Sequence, residues 1–242
     1  MNEQVTIRQI LVITDGCSNI GEDPVDVARQ ARKQGIVVNV IGVIDKNEMG
    51  QQGHDEAMSI ADAGGGMCRI VSPVDLSATA QMMTHQTMQM TLQQAVNQEL
   101  LHVMGKTTEE LPPEDRSRIM QVVDKMEEEV GLQLVVAVDM SASMKEKIDT
   151  TREAIRDLTL SLQVRLGGSR VAVIAFPGQG DQTTKLVQPF ADEIDMRSME
   201  HSLQARGGTP TGPAIAHAIR LFSSDSDRLL DDDVDGPRRG YA

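Results

Sequence analysis

Residues 134–143 have the sequence LVVAVDMSAS, in which a short apolar run leads directly into an aspartate and two serines. A nearly continuous, largely β-branched run of this length is typical of a strand buried on both faces of a parallel sheet. Comparable runs occupy residues 10–13, 36–43 and 171–176. Segments with helical spacing separate them, so we predict an α/β protein with a doubly wound, mostly parallel sheet flanked by helices.

The segments between the predicted strands carry helix signals. Asp23 followed by Pro24 predicts an N-cap with proline in the first turn, and Gly35 ends that helix. A second helix is predicted to close at 166–168, where a leucine precedes two glycines. Its apolar residues recur at helical spacing; they are Ile148, Ile155, Leu158 and Leu162.

Composition limits the classes of function. The 242 residues include 36 acidic and 23 basic side chains, for a net charge of −13, which argues against binding to nucleic acid or to anionic membranes. No apolar run approaches the roughly 20 residues of a membrane span, and no N-terminal apolar stretch follows a basic region. Cys17 and Cys68 stand alone, without a disulfide or metal-binding pattern, so we expect a protein of the reducing cytoplasm.

The middle and the end of the chain have a different character. Residues 74–105 are rich in methionine and helical in pattern, and 91–131 are predicted to form a helical bridge between two α/β halves. The methionine stripe is interpreted as core or helix–helix packing rather than as a partner groove. Residues 1–222 are predicted to be one domain, and 223–242, which are acidic and have little to bury, a disordered tail.

Three oxygen-rich segments carry the chemistry of this sequence. Two of them, 139–143 (DMSAS) and 14–19 (TDGCSN), directly follow predicted strands, and 207–212 (GGTPTG) precedes a predicted helix. In an open parallel sheet ligands bind at the carboxyl ends of strands, so we expect these segments to meet there. In an extended loop the side chains at i, i+2 and i+4 point the same way, which brings the aspartate and both serines of the first segment together.

These segments supply carboxylate and hydroxyl oxygens, the hard donors that suit Mg²⁺ or Mn²⁺. Each segment also has an ordinary structural interpretation. Ser143 fits a capping box for a helix that begins at Met144, and Thr211 could cap the next helix. Asp15 with Gly16 is a common turn pair. Together, the three segments favour a divalent-cation site more strongly than any one of them alone.

This set of segments resembles the von Willebrand factor type A family and its metal-ion-dependent adhesion site (MIDAS). The family's D-x-S-x-S falls on Asp139, Ser141 and Ser143, its separate threonine on Thr209, and its aspartate after a later strand on Asp15. The resemblance implies a Rossmann-like fold in which both serines and the threonine coordinate Mg²⁺ or Mn²⁺, while the two aspartates hold coordinating waters. It also implies that a partner protein supplies a Glu or Asp to the metal.

The order of the segments departs from that of the family. There the D-x-S-x-S strand comes first and the strand ending in the aspartate comes fourth, whereas here the Asp15 segment opens the chain and a later strand follows at 67–71. The sequence therefore resembles a circularly permuted domain, with 7–90 equivalent to the usual second half and 132–222 to the first. The bridge at 91–131 would join the halves within one monomer or, alternatively, permit an exchange of halves between two chains.

Three classes of function fit the sequence. The resemblance favours a non-enzymatic module that binds a partner protein through the metal. The alternative is a metal-dependent phosphatase or phosphotransferase with Asp139 as nucleophile, although the residue two positions later, where such enzymes usually carry an acid, is Ser141. A scaffold with a vestigial metal site is the third. The histidines lack zinc-ligand spacing; they are His54, His85, His102, His201 and His217.

Overall fold

The computed structural model describes residues 5–44, 50–195, 197, 199 and 207–234, with side chains up to Asp225. Its strands are β1 (Thr6–Thr14), β2 (Ile36–Val43), β3 (Gly65–Val71), β4 (Gly131–Asp139), β5 (Ser169–Phe176) and β6 (Lys185–Ala191). Its helices are α1 (Pro24–Lys33), α2 (Gln51–Gly64), α3 (Leu76–Met104), α4 (Pro113–Glu129), α5 (Ile148–Gln163) and α6 (Thr211–Val234). Short 3₁₀ turns lie at 73–75, 108–110 and 142–146.

One six-stranded sheet, in the order β3-β2-β1-β4-β5-β6, lies at the centre of the molecule. Strands β1 to β5 pair in parallel and β6 pairs antiparallel with β5. The four predicted apolar runs lie in β1, β2, β4 and β5, and the strand expected at 67–71 is β3, which confirms the predicted fold class. β6 is not predicted, because it is an edge strand with a mixed burial pattern and a proline at position 189.

Helices cover both faces of the sheet, and side chains alternate between the faces along each strand. Leu11 and Val136 belong to a core cluster packed under α3, α4 and α5. Their neighbours Ile10 and Val135 belong to a second cluster on the opposite face, under α1, α2 and α6. The chain is therefore wound in both directions from the boundary between β1 and β4, and the carboxyl ends of these two central strands meet at one edge of the sheet.

The predicted bridge is a helical hairpin formed by α3 and α4. α3 is continuous through residue 91, so it begins well before the predicted start of the bridge. Met83 and Met88 are buried against the sheet, whereas Val103 and Met104 at the end of the helix are exposed. Although α3 has 29 residues, neither it nor any other helix in the described part of the chain is long and apolar enough to cross a membrane.

The predicted disordered tail is wrong over its first part, because α6 continues from Thr211 to Val234. Phe222 and Asp225 are both buried. The Asp225 carboxylate accepts hydrogen bonds from Arg170 and Gln133 of the sheet, at 2.6 and 2.7 Å. These contacts anchor the helix beyond residue 222. The sequence prediction missed them because this stretch has few apolar residues to bury. The last eight positions of the predicted tail, 235–242, lie outside the described residues.

Candidate metal centre

The last residue of β4, Asp139, anchors the site. Its side chain is fully buried, because the strand is covered on both faces up to its carboxyl end. Asp139 Oδ2 accepts a hydrogen bond of 2.6 Å from Thr14 Oγ1, at the end of the neighbouring strand β1. Asp139 Oδ1 accepts one of 2.8 Å from the backbone N–H of Ser141. The carboxylate thus fixes both strand ends, and its remaining lone pairs can still accept from a water molecule.

A row of hydrogen bonds leads from this buried carboxylate toward the surface. The hydroxyls of Ser141 and Ser143 lie 3.1 Å apart, and Ser143 Oγ donates to Asp15 Oδ1 at 2.7 Å. Ser141 is buried and Ser143 is exposed, whereas the Asp15 side chain at the end of the row is nearly buried. We call Asp139, Ser141, Ser143 and Asp15 the strand-end cluster. The structure brings these four predicted site residues together, as the position of their segments at adjacent strand ends requires.

The fifth predicted residue, Thr209, is held beside the same loop by Asn19. Asn19 Oδ1 accepts from the Thr209 backbone N–H at 2.8 Å, and the Asn19 N–H donates to the Thr209 carbonyl at 3.1 Å. The two loops approach closely at Gly208 and Gly212. A Cβ at these glycines would lie 2.7 Å from Asn19 Oδ1 and 2.0 Å from the Glu22 carbonyl, so a side chain at either position would separate the loops.

The ordinary structural interpretations account for little of this arrangement. The helix after Ser143 begins at Ile148, not at the predicted Met144, because 142–146 form a 3₁₀ turn. The Ser143 hydroxyl bonds to side chains of the cluster instead of capping that helix. Thr211 Oγ1 is buried and has no hydrogen-bond partner among the described residues, so the suggested Thr211 cap is also wrong. The N-cap predicted at Asp23 is confirmed.

Burial governs the electrostatics of the cluster. Burial, with a smaller contribution from the nearby Asp15, raises the pKa of Asp139 to about 6, although the hydrogen bonds from Thr14 and Ser141 act in the opposite direction. Asp15 pairs with Lys147, whose Nζ lies 2.6 Å from Asp15 Oδ2. The site therefore holds two neighbouring carboxylates and one ammonium group, which pairs with Asp15, and the excess of negative charge favours an additional cation.

The residues present fit a hard divalent cation. Hydroxyl and carboxylate oxygens are the donors that Mg²⁺ and Mn²⁺ prefer, and the cluster holds both kinds within hydrogen-bond distance of one another. Among the described residues no group of three or more His, Cys, Asp or Glu could hold a metal ion. Burial and the neighbouring Glu56 raise the pKa of the adjacent Cys17, which keeps its thiol protonated and unsuited to metal binding.

Three residues of the site are missing from the sequence prediction: Thr14, Asn19 and Lys147. Thr14 directly precedes Asp15 at the end of a strand, which is the signal that could have included it. Lys147 follows Ser143 by four positions, but 142–146 form a 3₁₀ turn instead of an α-helical turn, so the spacing gives no signal for its contact with Asp15. Asn19 lies in the segment 14–19 that is predicted to meet 207–212, but its specific contact with Thr209, 190 positions away, has no sequence signal of its own.

Comparisons with known proteins agree with this fold. A family model described as the von Willebrand factor type A domain matches residues 134–231. The uncharacterized protein YabS of Bacillus subtilis (strain 168) is 45% identical over 232 residues, which cover 94% of this chain and 94% of that protein. A crystal structure of an uncharacterized protein from Alicyclobacillus acidocaldarius superposes with a TM-score of 0.89 at 67% identity, covering 93% of this chain and 97% of that chain.

Proposed function

Since this chain belongs to the same family as the Bacillus subtilis protein and contains a von Willebrand factor type A domain, we propose that it is a non-enzymatic protein-binding module. In this proposal the strand-end cluster and Thr209 form a complete MIDAS that holds Mg²⁺ or Mn²⁺. The bound cation docks an acidic residue of a partner protein. Domains of this type are generally metal-dependent interaction modules, which supports the proposal without identifying the partner.

The observation that carries this proposal is the chain of hydrogen bonds that runs from Asp139 through the Ser141 N–H and the two serine hydroxyls to Asp15. Residues separated by more than a hundred positions are joined by hydrogen bonds of 2.6 to 3.1 Å at the ends of two adjacent strands. A fold does not need this concentration of acceptors at the carboxyl ends of its strands for stability, since two neighbouring carboxylates with one nearby ammonium group leave a negative charge uncompensated. A divalent cation would balance it.

Each residue has a separate proposed role. Ser141, Ser143 and Thr209 would hold the cation directly, and Asp139 and Asp15 would act through water. The hydrogen bonds from Thr14 and from the Ser141 N–H orient the Asp139 carboxylate for this task. A cation held mainly by neutral hydroxyls keeps most of its positive charge, so when bound it offers an attractive position to an incoming carboxylate.

The topology supports circular permutation. β1, which is followed by Asp15, pairs in parallel with β4, whose last residue is Asp139. These neighbouring strands are far apart in the chain, because β1 ends at residue 14 and β4 begins at residue 131. The family model matches only 134–231, the part that contains D-x-S-x-S. We propose that α3 and α4 close the permuted domain within one monomer, in the cytoplasm. Light scattering in solution checks this, since a half-exchanged dimer would have twice the mass.

The phosphatase alternative receives no support from the geometry. A nucleophilic aspartate must reach a substrate phosphorus atom, but Asp139 has no exposed surface and both of its oxygens accept hydrogen bonds. The residue in the position of the general acid is Ser141, whose hydroxyl does not release a proton near neutral pH.

The direct test is a calorimetric titration of Mg²⁺ and Mn²⁺ into the wild type and Asp139→Ala. We expect the wild type to bind one cation and to gain thermal stability by mass action, about 4 kcal/mol at a thousandfold excess over Kd. Asp139→Ala should show neither effect. Asp115→Ala is the matched control, because it removes the same charge from a half-exposed side chain on α4. Equal titrations of Asp139→Ala and the wild type would refute the metal site.

A second measurement tests the docking step. Water-proton relaxation of the protein loaded with Mn²⁺ should reveal at least one exchangeable water, and acetate, used as a carboxylate probe, should displace it. The same concentration of acetamide, which carries no charge, should leave the relaxation unchanged. If acetate has no effect, the site binds metal without accepting a carboxylate, and the proposed interaction mechanism is wrong.

A further inference from the structure

Lys147 places a positive charge inside the proposed metal centre. Its Nζ lies 2.6 Å from Asp15 Oδ2, and the two side chains are only 12% and 3% exposed. The other oxygen of the same carboxylate, Oδ1, accepts the hydrogen bond from Ser143. Both oxygens of Asp15 are therefore engaged within the chain, one by a hydroxyl and the other by an ammonium group.

The position of Lys147 is fixed by its backbone. The residue lies at the junction between the 3₁₀ turn and α5, where its N–H donates to the Met144 carbonyl at 2.8 Å. Its own carbonyl accepts from both the N–H and the hydroxyl of Thr151, at 2.9 and 2.8 Å. An exposed lysine on a flexible stem pairs weakly, but this one starts from a rigid point and is largely removed from solvent.

We infer that Lys147 is an intramolecular competitor of the metal ion: it holds Asp15 when no divalent cation is present, and the cation must displace its ammonium group from that carboxylate. This inference rests on the proposed function. Asp15 Oδ2 already accepts from the ammonium group, so a cation or a coordinating water that uses the same oxygen competes with Lys147 for it. Two positive charges a few ångströms apart also repel each other, so the lysine lowers the affinity for the divalent ion.

The 2.6 Å ion pair also fits the opposite role, in which Lys147 helps the metal to bind. A lysine that merely fixes Asp15 in the orientation that the metal requires would increase affinity, and its loss would weaken binding. The two roles therefore predict changes of opposite sign for the same substitution. In a competitor, removal of the ammonium group both frees Oδ2 and removes the repulsion.

The experiment compares Mn²⁺ binding by the wild type, Lys147→Met and Lys145→Met. Lys145 is exposed and lies two positions away, so its substitution changes the net charge equally without touching Asp15. Calorimetry, with free Mn²⁺ measured by electron paramagnetic resonance, should show Lys147→Met binding about tenfold more tightly than the wild type. Lys145→Met should stay within about twofold of the wild type, because an exposed charge is screened by solvent.

Thermal unfolding provides an independent readout. In EDTA, Lys147→Met should melt below Lys145→Met, because it leaves the Asp15 carboxylate nearly buried without its cation. Mn²⁺ should reduce this difference, since the metal replaces the missing charge. If Lys147→Met does not fold in EDTA, Lys147→Gln, which can still donate a hydrogen bond to Asp15, replaces it in the same comparison.

The outcomes separate this inference from the proposed function. Mn²⁺ binding by Lys147→Met that is equal to or weaker than that of the wild type overturns the competitor role. If the wild type binds Mn²⁺ in the same experiment, the proposed metal centre still stands. Binding by Lys147→Met alone supports the competitor role and means that the wild-type chain does not load metal by itself. Absence of binding in both proteins overturns the two proposals together.

Discussion

Two ion pairs of equal length lie at opposite ends of the central sheet. Lys147 and Asp15 pair at the carboxyl ends of the strands, and Arg170 and Asp225 pair at their amino ends, each at 2.6 Å. At the amino ends Asp225 Oδ2 also accepts from Gln133, at 2.7 Å. The guanidinium of Arg170 donates to a backbone carbonyl as well, at 3.2 Å, so this pair consists of one anion and one cation whose groups are satisfied locally.

The difference lies in the charges around each pair. The Arg170 pair faces no second carboxylate among its described hydrogen-bond partners, and its role is to anchor α6 on the sheet. The Lys147 pair lies next to the fully buried Asp139 and to two serine hydroxyls. A buried charge is tolerated only when it is compensated, so the second arrangement has capacity for another cation and the first does not. In our proposal, the same kind of ion pair is structural in one place and part of a metal centre in the other.

Among these substitutions, Asp225→Ala is expected to change the stability of the protein most. It leaves the Arg170 guanidinium and the Gln133 amide without their acceptor, which should lower the free energy of unfolding by about 4 kcal/mol. Urea unfolding followed by circular dichroism measures this, and the loss should be the same in EDTA and in Mn²⁺. Asp149→Ala, at a side chain that is 89% exposed, is the control. A loss that disappears on addition of Mn²⁺ would place Asp225 in the metal centre and contradict the comparison.

Asp139→Asn should change the pH dependence of stability. Folding raises the pKa of Asp139 from 3.8 to about 6, so between these values the folded chain binds the proton more strongly than the unfolded chain. The stability of the wild type in EDTA should therefore fall as pH rises through this window, by roughly 3 kcal/mol relative to Asp139→Asn. Addition of Mn²⁺ should restore the stability of the wild type at the higher pH and should leave that of Asp139→Asn unchanged. A stability difference that is independent of pH would show that burial of Asp139 carries no such cost.

Asn19→Ala is expected to change the stability of the protein least. The substitution removes the acceptor of the Thr209 N–H and should cost about 1 kcal/mol, since the contact is only partly buried. Because Thr209 is then less firmly held beside the cluster, Mn²⁺ affinity should fall severalfold in calorimetry. Asn19→Asp retains an oxygen that can accept from the Thr209 N–H, and its added negative charge favours a cation, so it should not weaken Mn²⁺ binding. If Asn19→Ala and the wild type bind Mn²⁺ equally well, Thr209 is not one of the metal ligands.

Strong local patterns predict the fold well. The apolar runs at 10–13 and 134–138 are strands because only a doubly covered sheet can bury every residue of such a run. Prediction fails where local signals are weak. The edge strand β6 buries only part of its surface, and α6 beyond Phe222 is held by an aspartate that contacts an arginine 55 positions earlier in the chain.

The site shows the same division. Asp139, Ser141, Ser143 and Asp15 can be grouped from the sequence because parallel strands bring their carboxyl ends to one edge. Lys147 and Asn19 cannot be assigned in this way, since their roles depend on the direction of a 3₁₀ turn and on the approach of two distant loops.

Residue chemistry and spacing along the chain are enough to establish an α/β protein with hard oxygen donors at the ends of two strands. The charge balance of those donors, with a lysine ammonium on one carboxylate and a second carboxylate buried without a cation, emerges only on folding. The physical reason is that periodicity records which face a residue buries, whereas electrostatic compensation depends on distances between groups that are remote in the chain.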